Sequence, residues 1–356
     1  VHLPAPLANA AEKVEFLSEP RHYPDKSGKI EVVETHFAWV FLTEHHAYKM
    51  KKPMQQATMD YRTLQSREHG CRNELRLNRR LAPSVYIDVV PLSRRPGGAL
   101  ELGGRKDVVD WLVKMHRLPA ARMLDRAIVD GTLTPGDLDA VIELLAAFYK
   151  TARRMPLSKA AYLRRLRIAT LQNASDLCAP DLALNRARVD AVIDAQLAYI
   201  SGAHSLGSRG AHLVEGHGDL RLEHVYLGPP PSVIDCLEFD RDLRRLDPAE
   251  EIANLAMGCG RLQRTDLAGE LLRRYRNAMR DLVRDDQVQF YMSRRAAIGA
   301  KIAAWHMRDP IYVDRQPWIA RANSYLDDAM RHMNSALREV NKDKSTVIER
   351  HRPSLQ

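Results

Sequence analysis

His217-Gly218-Asp219-Leu220-Arg221-Leu222-Glu223-His224 is the stretch of this chain best suited to chemistry, and Ile234-Asp235 follows it. It sets one carboxylate in a tight turn. A second carboxylate comes after two short apolar runs, Val225-Tyr226-Leu227 and Val233-Ile234, which flank Pro229-Pro230-Pro231. Two such groups can divide two tasks. One accepts a proton from an attacking hydroxyl, and the other holds a divalent metal on the phosphates of a nucleotide. Earlier in the chain, Ala47-Tyr48-Lys49-Met50-Lys51-Lys52 reads as a strand, with Ala47, Lys49 and Lys51 on one face by period two. Glu74 lies three residues after Cys71 and one before Leu75, on the half-buried face of a helix with Leu64, Cys71 and Leu75. A carboxylate there needs a cationic partner, and Lys49 is the candidate.

The loop resembles the catalytic loop of the protein-kinase-like fold, H-R-D-x-x-x-x-N, and more closely the H-G-D form of the aminoglycoside phosphotransferase family. The resemblance makes Asp219 the catalytic base. It makes Asp235 the metal-binding aspartate that stands where protein kinases have D-F-G. Arg221 falls two residues after the base, where many protein kinases carry a lysine facing the transferred phosphoryl group. A guanidinium there would offset charge on the equatorial oxygens. Asp247-Pro248-Ala249-Glu250-Glu251-Ile252-Ala253 is similar to the D-P-x-x-D-L-A pattern of the phosphotransferases.

The same resemblance requires a phosphate-gripping lysine. Ala47-x-Lys49 is similar to the A-x-K of V-A-I-K, so Lys49, held by Glu74, is the first choice. Lys51 on the same face is the rival, and spacing does not separate them. The position five residues after the base is asparagine in the family pattern and His224 here. Magnesium favours hard oxygen over imidazole nitrogen. His224 therefore either contacts phosphate or a second metal indirectly, or marks a reduced or single-metal site. The phosphate-covering turn falls on Glu34-Thr35-His36-Phe37-Ala38-Trp39, which has no glycine, and Thr35 is its candidate phosphate contact. The hinge that reads adenine falls near Lys114-Met115-His116, with Met115 as its candidate. The stretches E-T-H-F-A-W-V-F-L, A-Y-K-M-K-K-P, N-E-L-R-L-N-R-R-L-A-P and H-G-D-L-R look like those of bacterial aminoglycoside-phosphotransferase-like proteins, often labelled gluconate-kinase-like. Some of these are fused to a P-loop kinase domain. The resemblance runs from about residue 30 to 310, over the first module only.

To position these groups the resemblance implies an α+β, protein-kinase-like, two-lobed fold. The small sheet-rich N-lobe would take residues 1–118, the larger helical C-lobe 119–340, and a polar tail 341–356. Strands are expected over 30–42, 46–52, 85–92 and 108–118, with a helix over about 60–81. Later helices are expected from Thr134-Pro135-Gly136-Asp137 to about 154, over 184–202, from Asp247-Pro248, and through 265–340. Arginine pairs such as Arg164-Arg165, Arg273-Arg274 and Arg294-Arg295 read as solvated helix faces.

Composition narrows the classes. The 356 residues are 45% hydrophobic and 28% charged, which excludes wholesale disorder. A net charge of +9 favours phosphate-bearing partners, weakly, because it is spread over a long chain. The four cysteines lie far apart without a C-x-x-C pair, as in a reducing, cytoplasmic protein. No apolar run is long enough for a membrane helix, and Glu12 and Glu15 interrupt any leader-like segment. Neither G-x-x-x-x-G-K-[ST] nor G-x-G-x-x-G occurs. The expected function is ATP- and Mg2+-dependent transfer of a γ-phosphoryl group to a hydroxyl of a small molecule. Basic residues outnumber acidic ones over 241–340, so a neutral or anionic metabolite suits the acceptor site better than a polycationic aminoglycoside. The rival from another class is a non-catalytic nucleotide-binding module. Nucleic-acid binding ranks last, since no base-reading motif is present. No motif specifies an oligomeric state.

Overall fold

The computed structural model describes residues 9–25, 28–56, 58–182, 184–202, 205–308 and 312–350, with side chains as far as 342. In chain order the early elements are α1 (Ala10–Leu17), β1 (Glu31–Glu34), β2 (Ala38–Leu42), β3 (His46–Lys51), β4 (Gln55–Gln56), β5 (Met59–Asp60), α2 (Leu64–Asn78), β6 (Tyr86–Arg94), β7 (Leu100–Leu102) and β8 (Val108–His116). Then come α3 (Leu124–Val129), α4 (Pro135–Thr151), α5 (Lys159–Leu177), α6 (Arg186–Gly202), β9 (Val214–Glu215), β10 (Val225–Tyr226), β11 (Ser232–Val233) and β12 (Arg245–Leu246). The chain continues as α7 (Pro248–Arg261), α8 (Thr265–Met279), α9 (Asp285–His306) and α10 (Gln316–Arg350). This is the two-lobed α+β organisation, with a main sheet in the early chain and helices dominating later.

The chain packs as two compact units. One holds the described residues up to Phe148 together with Leu222–Arg244. The other holds Tyr149–Arg221 and the chain from Arg245 onward. The first boundary therefore falls later than the expected 118, and the segment carrying Asp235 belongs with the sheet. The physical reason is local packing: Ile234, just after β11, packs on the apolar cluster of Ala47, Cys71, Tyr86 and Val113.

In the first unit a six-stranded sheet runs β1-β2-β3-β8-β6-β7. Every neighbouring pair is antiparallel. Alternation along β3 sorts its side chains as the sequence predicts. Tyr48 and Met50 join Leu17, Phe41, Leu92 and Leu112 on one face. Ala47 joins Cys71, Val113 and Met115 on the other. Burying such side chains on both faces, at about 25 cal/mol per Å2 of apolar surface, holds β3 at the centre of the sheet. Helix α2 starts at Thr63, whose hydroxyl accepts the Ser66 N–H at 3.0 Å. The turn between β6 and β7 uses Gly97 and Gly98 at φ of 104° and 94°, a region that favours glycine.

In the second unit Asp247 caps α7, accepting the Ala249 N–H at 3.0 Å with Pro248 at the first helical position. Three helices, α1, α3 and α5, go beyond the predicted set. Helix α10 continues to Arg350, so the polar segment predicted as a tail is helical over 341–350, and residues 351–356 lie outside the described residues. Among the described residues no helix is long and apolar enough to cross a membrane.

Candidate active site

In the first unit, two strand lysines, one helix glutamate and two loop acids converge. Lys49 Nζ lies 2.5 Å from Asp235 Oδ1. It lies 3.0 Å from Glu74 Oε1, an ion-pair contact without hydrogen-bond alignment. Glu74 is fully buried, and its other oxygen, Oε2, takes Lys51 Nζ at 2.5 Å. Lys51 also donates to Glu238 Oε1, and Tyr61 Oη donates to that same oxygen at 2.6 Å. Burial alone would lower the pKa of Lys49, but Asp235 and Glu74 outweigh it and hold the ammonium well above its ordinary value. Lys51 is shifted upward too, with Glu238 and Glu74 overcoming its burial. Burial also opposes the charge on Glu238, yet Lys51 and Lys49 keep its carboxyl below the usual glutamate value.

Asp235 follows β11 in the left-handed region, at φ of 62°, where few non-glycine residues settle. Its backbone N–H donates to Tyr86 Oη at 3.1 Å. The next residue, Cys236, donates its N–H to Asn78 Oδ1 at 2.9 Å. His224 is buried, with Nε2 3.7 Å from Asp235 Oδ2, and its carbonyl accepts the Ile234 N–H at 2.9 Å. Among the described residues no set of three His, Cys, Asp or Glu side chains gathers as a metal-ligand cluster.

The structure brings Lys49, Glu74, Asp235 and His224 together. Thr35 is used by its own turn: its hydroxyl accepts the Ala38 N–H at 3.0 Å and donates to the Ala38 carbonyl at 2.9 Å. Met115 sits inside β8, paired with Ala47 on one side and Tyr86 on the other. The Arg117 N–H donates to the His45 carbonyl at 2.8 Å, so β8 stays paired to its end.

In the second unit the loop bearing Asp219 is fastened from behind. The His217 and Gly218 N–H groups donate to Glu251 Oε1 at 3.0 Å and 2.6 Å. Tyr149 Oη donates to Glu251 Oε2 at 2.9 Å. Burial raises the Glu251 pKa, against the pull of those loop N–H groups. Arg295 donates to the Gly218 carbonyl at 3.1 Å, and Asn254 Nδ2 to the Leu220 carbonyl at 2.8 Å. Gly218 adopts φ of 92° to make the turn. Arg221 Nε lies 3.1 Å from Asp219 Oδ2. Below the loop, buried Arg209 forms paired contacts with the capping Asp247 at 2.6 and 2.7 Å and with Asp281 at 2.5 and 2.8 Å. Tyr291 Oη also donates to Asp247 at 2.7 Å.

Sequence reasoning passed over Glu238, Tyr61, Glu251 as a loop anchor, and Arg295. The reading of Arg294-Arg295 as a solvated face is corrected: Arg294 is buried and Arg295 partly buried, both against Glu250, Arg295 Nε at 3.1 Å. The signal was available in Ala296-Ala297 and Phe290-Tyr291, which flank the pair with apolar residues.

Similar solved structures include an aminoglycoside 2'-phosphotransferase-IIIa mutant in a GDP complex, at a TM-score of 0.53 and 15% identity, covering 92% of this chain and 100% of that one. The fold is protein-kinase-like. A choline/ethanolamine kinase family protein from Mesorhizobium loti gives 0.52 and 15%, over 91% and 98% of the two chains. Plasmodium vivax ethanolamine kinase gives 0.52 and 10%, over 85% and 81%. In sequence, uncharacterised proteins of Mycobacterium tuberculosis and Mycobacterium bovis are 32% identical over 284 residues, covering 77% of this chain and 54% of theirs. The chain thus spans about half the length of the curated relatives it matches. No family model matches.

Proposed function

We propose that this kinase-like chain is an ATP- and Mg2+-dependent phosphotransferase that moves the γ-phosphoryl group onto a hydroxyl of a small molecule. The observation that carries the reading is the Lys49–Glu74–Asp235 cluster. It pairs a strand lysine, oriented by a buried helix glutamate, with a carboxylate that is 44% exposed. A hard, accessible carboxylate oxygen suits magnesium, and an ammonium beside it suits polyphosphate. Asp235 would hold the metal, which would supply charge neutralisation at the phosphates, and Lys49 would grip the α- and β-phosphates. Asp219, on its anchored loop, would orient the acceptor hydroxyl and take its proton. The acceptor oxygen then bonds to the γ-phosphorus, the bond to the β–γ bridging oxygen breaks, and ADP leaves. Arg221 would offset charge on the phosphoryl group in flight. Most of the rate would come from positioning and electrostatics.

The acceptor in this reading is a neutral or anionic metabolite such as a sugar or sugar acid, in keeping with the gluconate-kinase-like branch. Release of ADP over a metabolite library, wild type against Asp219→Ala, tests the activity. Turnover falling by roughly a hundredfold or more in the variant is expected for a lost general base. A wild type no faster than the variant with every acceptor favours the second reading, a non-catalytic nucleotide-binding module, to which His224 in the asparagine position lends support.

A further inference from the structure

Lys49 and Lys51 stand side by side on β3, yet their surroundings differ. The Lys49 side chain is 18% exposed and that of Lys51 only 3%. Lys51 is bound to two carboxylates, the fully buried Glu74 and the partly buried Glu238, and the Tyr61 ring lies 5.0 Å from its ammonium. Gly70 of α2 makes the room, since a Cβ there would stand 2.6 Å from Tyr61 Cε1 and 3.1 Å from Lys51 Cε. Glu238 lies three residues beyond Asp235. Between them the Cys236 N–H is held by Asn78, whose own amide donates to the Glu74 carbonyl at 2.9 Å. Segment 235–238 is therefore tied to Lys49 at one end, to Lys51 at the other, and to α2 in the middle.

We propose that Lys51, Tyr61 and Glu238 form a latch that fixes the position of Asp235 and, through Glu74, reserves Lys49 for the phosphates. Lys51 is then a positioning residue and not a second phosphate lysine. Glu74 has two oxygens, and each lysine takes one. Drawing Lys51 toward a ligand would take a cationic partner from the buried Glu74 and the partly buried Glu238 at once, a large penalty. Releasing Lys49 from Asp235 costs less, because Asp235 is already partly in solvent. The latch also holds the chain beside the left-handed Asp235 backbone, a conformation that persists only where its surroundings impose it. This inference rests on the phosphotransferase reading and deepens it.

The test uses wild type, Lys51→Met, Glu238→Gln and the double variant, with Tyr61→Phe as a mild change that keeps the packing. The first readout needs no ligand: acetylation rates of the two lysines, followed by mass spectrometry. Lys51 is expected to react roughly tenfold more slowly than Lys49 in wild type, and about fivefold faster once Glu238→Gln opens the latch. Equal rates in wild type would overturn the latch. The second readout is steady-state kinetics. Lys51→Met and Glu238→Gln are each expected to raise the KM for Mg-ATP about tenfold with a smaller change in kcat, and the double variant to be no worse than either. Tyr61→Phe should move KM the same way by less. Additive effects, with Glu238→Gln far worse than Lys51→Met, would make Glu238 a metal ligand and overturn the positioning role, as would unchanged KM values. The expected acetylation pattern without any Mg-dependent nucleotide binding would support the latch and sink the phosphotransferase reading.

Discussion

Asp235 and Asp219 are carboxylates in different settings, and their variants should behave differently. Asp235 has one oxygen on Lys49, whereas Asp219 lies beside Arg221 on a loop whose amides belong to Glu251. Asp235→Ala is expected to weaken Mg-dependent nucleotide binding more than Asp219→Ala does, and equal losses by calorimetry would contradict the assigned roles. His224 points Nε2 toward Asp235 from a buried position. His224→Asn offers an amide oxygen in its place and is expected to preserve or raise Mg-dependent turnover. Abolished activity in that variant would give the imidazole chemistry of its own. The contact of Lys49 with Glu74 was legible because strand period and helix face point to it, while Asp219 and Asp235 were singled out through the family resemblance. Glu238 was not, because its bond to Lys51 spans 187 residues and no periodicity links them.

Among the elements, those with an alternating, periodic or capped pattern were legible: β3, α2 within the expected 60–81, and α7 from Asp247. Helix α1 escaped because its eight residues are too short for a periodic signal. Helix α5 escaped among closely spaced arginines, although Tyr162, Leu166, Thr170, Asn173 and Leu177 mark its buried face. Two element contacts give measurable outcomes. A Cβ on Gly216 would stand 2.8 Å from both Glu251 Oε2 and Leu246 Cδ1. Gly216→Ala is therefore expected to destabilise the fold by about 1–3 kcal/mol in denaturant titrations, since it displaces the carboxylate that holds the loop bearing Asp219. Between α9 and α10, His332 Nδ1 meets Gln289 Oε1 at 2.7 Å, and burial, aided by Arg331, pushes its pKa down to about 4. A base with a lowered folded pKa favours the neutral form. Its contribution is intact above the ordinary value of 6.5 and is lost as pH falls from there toward about 4. Stability should drop by on the order of 3 kcal/mol across that window. His332→Gln should flatten the profile, and an unchanged acid limb would remove this cause.

For the molecule as a whole, the α+β protein-kinase-like fold was legible through the family resemblance of the H-G-D and A-Y-K-M-K-K stretches, and composition alone said no more than globular. Long-range packing decided where the units divide, and the transfer of 222–244 to the sheet-bearing unit depends on contacts such as that of Ile234 with the sheet cluster, which no linear pattern displays. Ligand linkage provides a global readout. Mg-ATP at a hundred times its Kd would stabilise the folded chain by about 2.7 kcal/mol. A rise in Tm is expected for wild type and not for Asp235→Ala, and scanning fluorimetry with and without magnesium checks it.

The cluster in the first unit sets Glu74, Asp235 and Glu238 against Lys49 and Lys51. With all five ionised, those side chains sum to one surplus negative charge. A bare nucleotide polyanion would be met by that surplus, whereas a divalent ion arriving with it reverses the sign. The pocket of charge is thus set to welcome a chelate, and to resist the anion that comes alone.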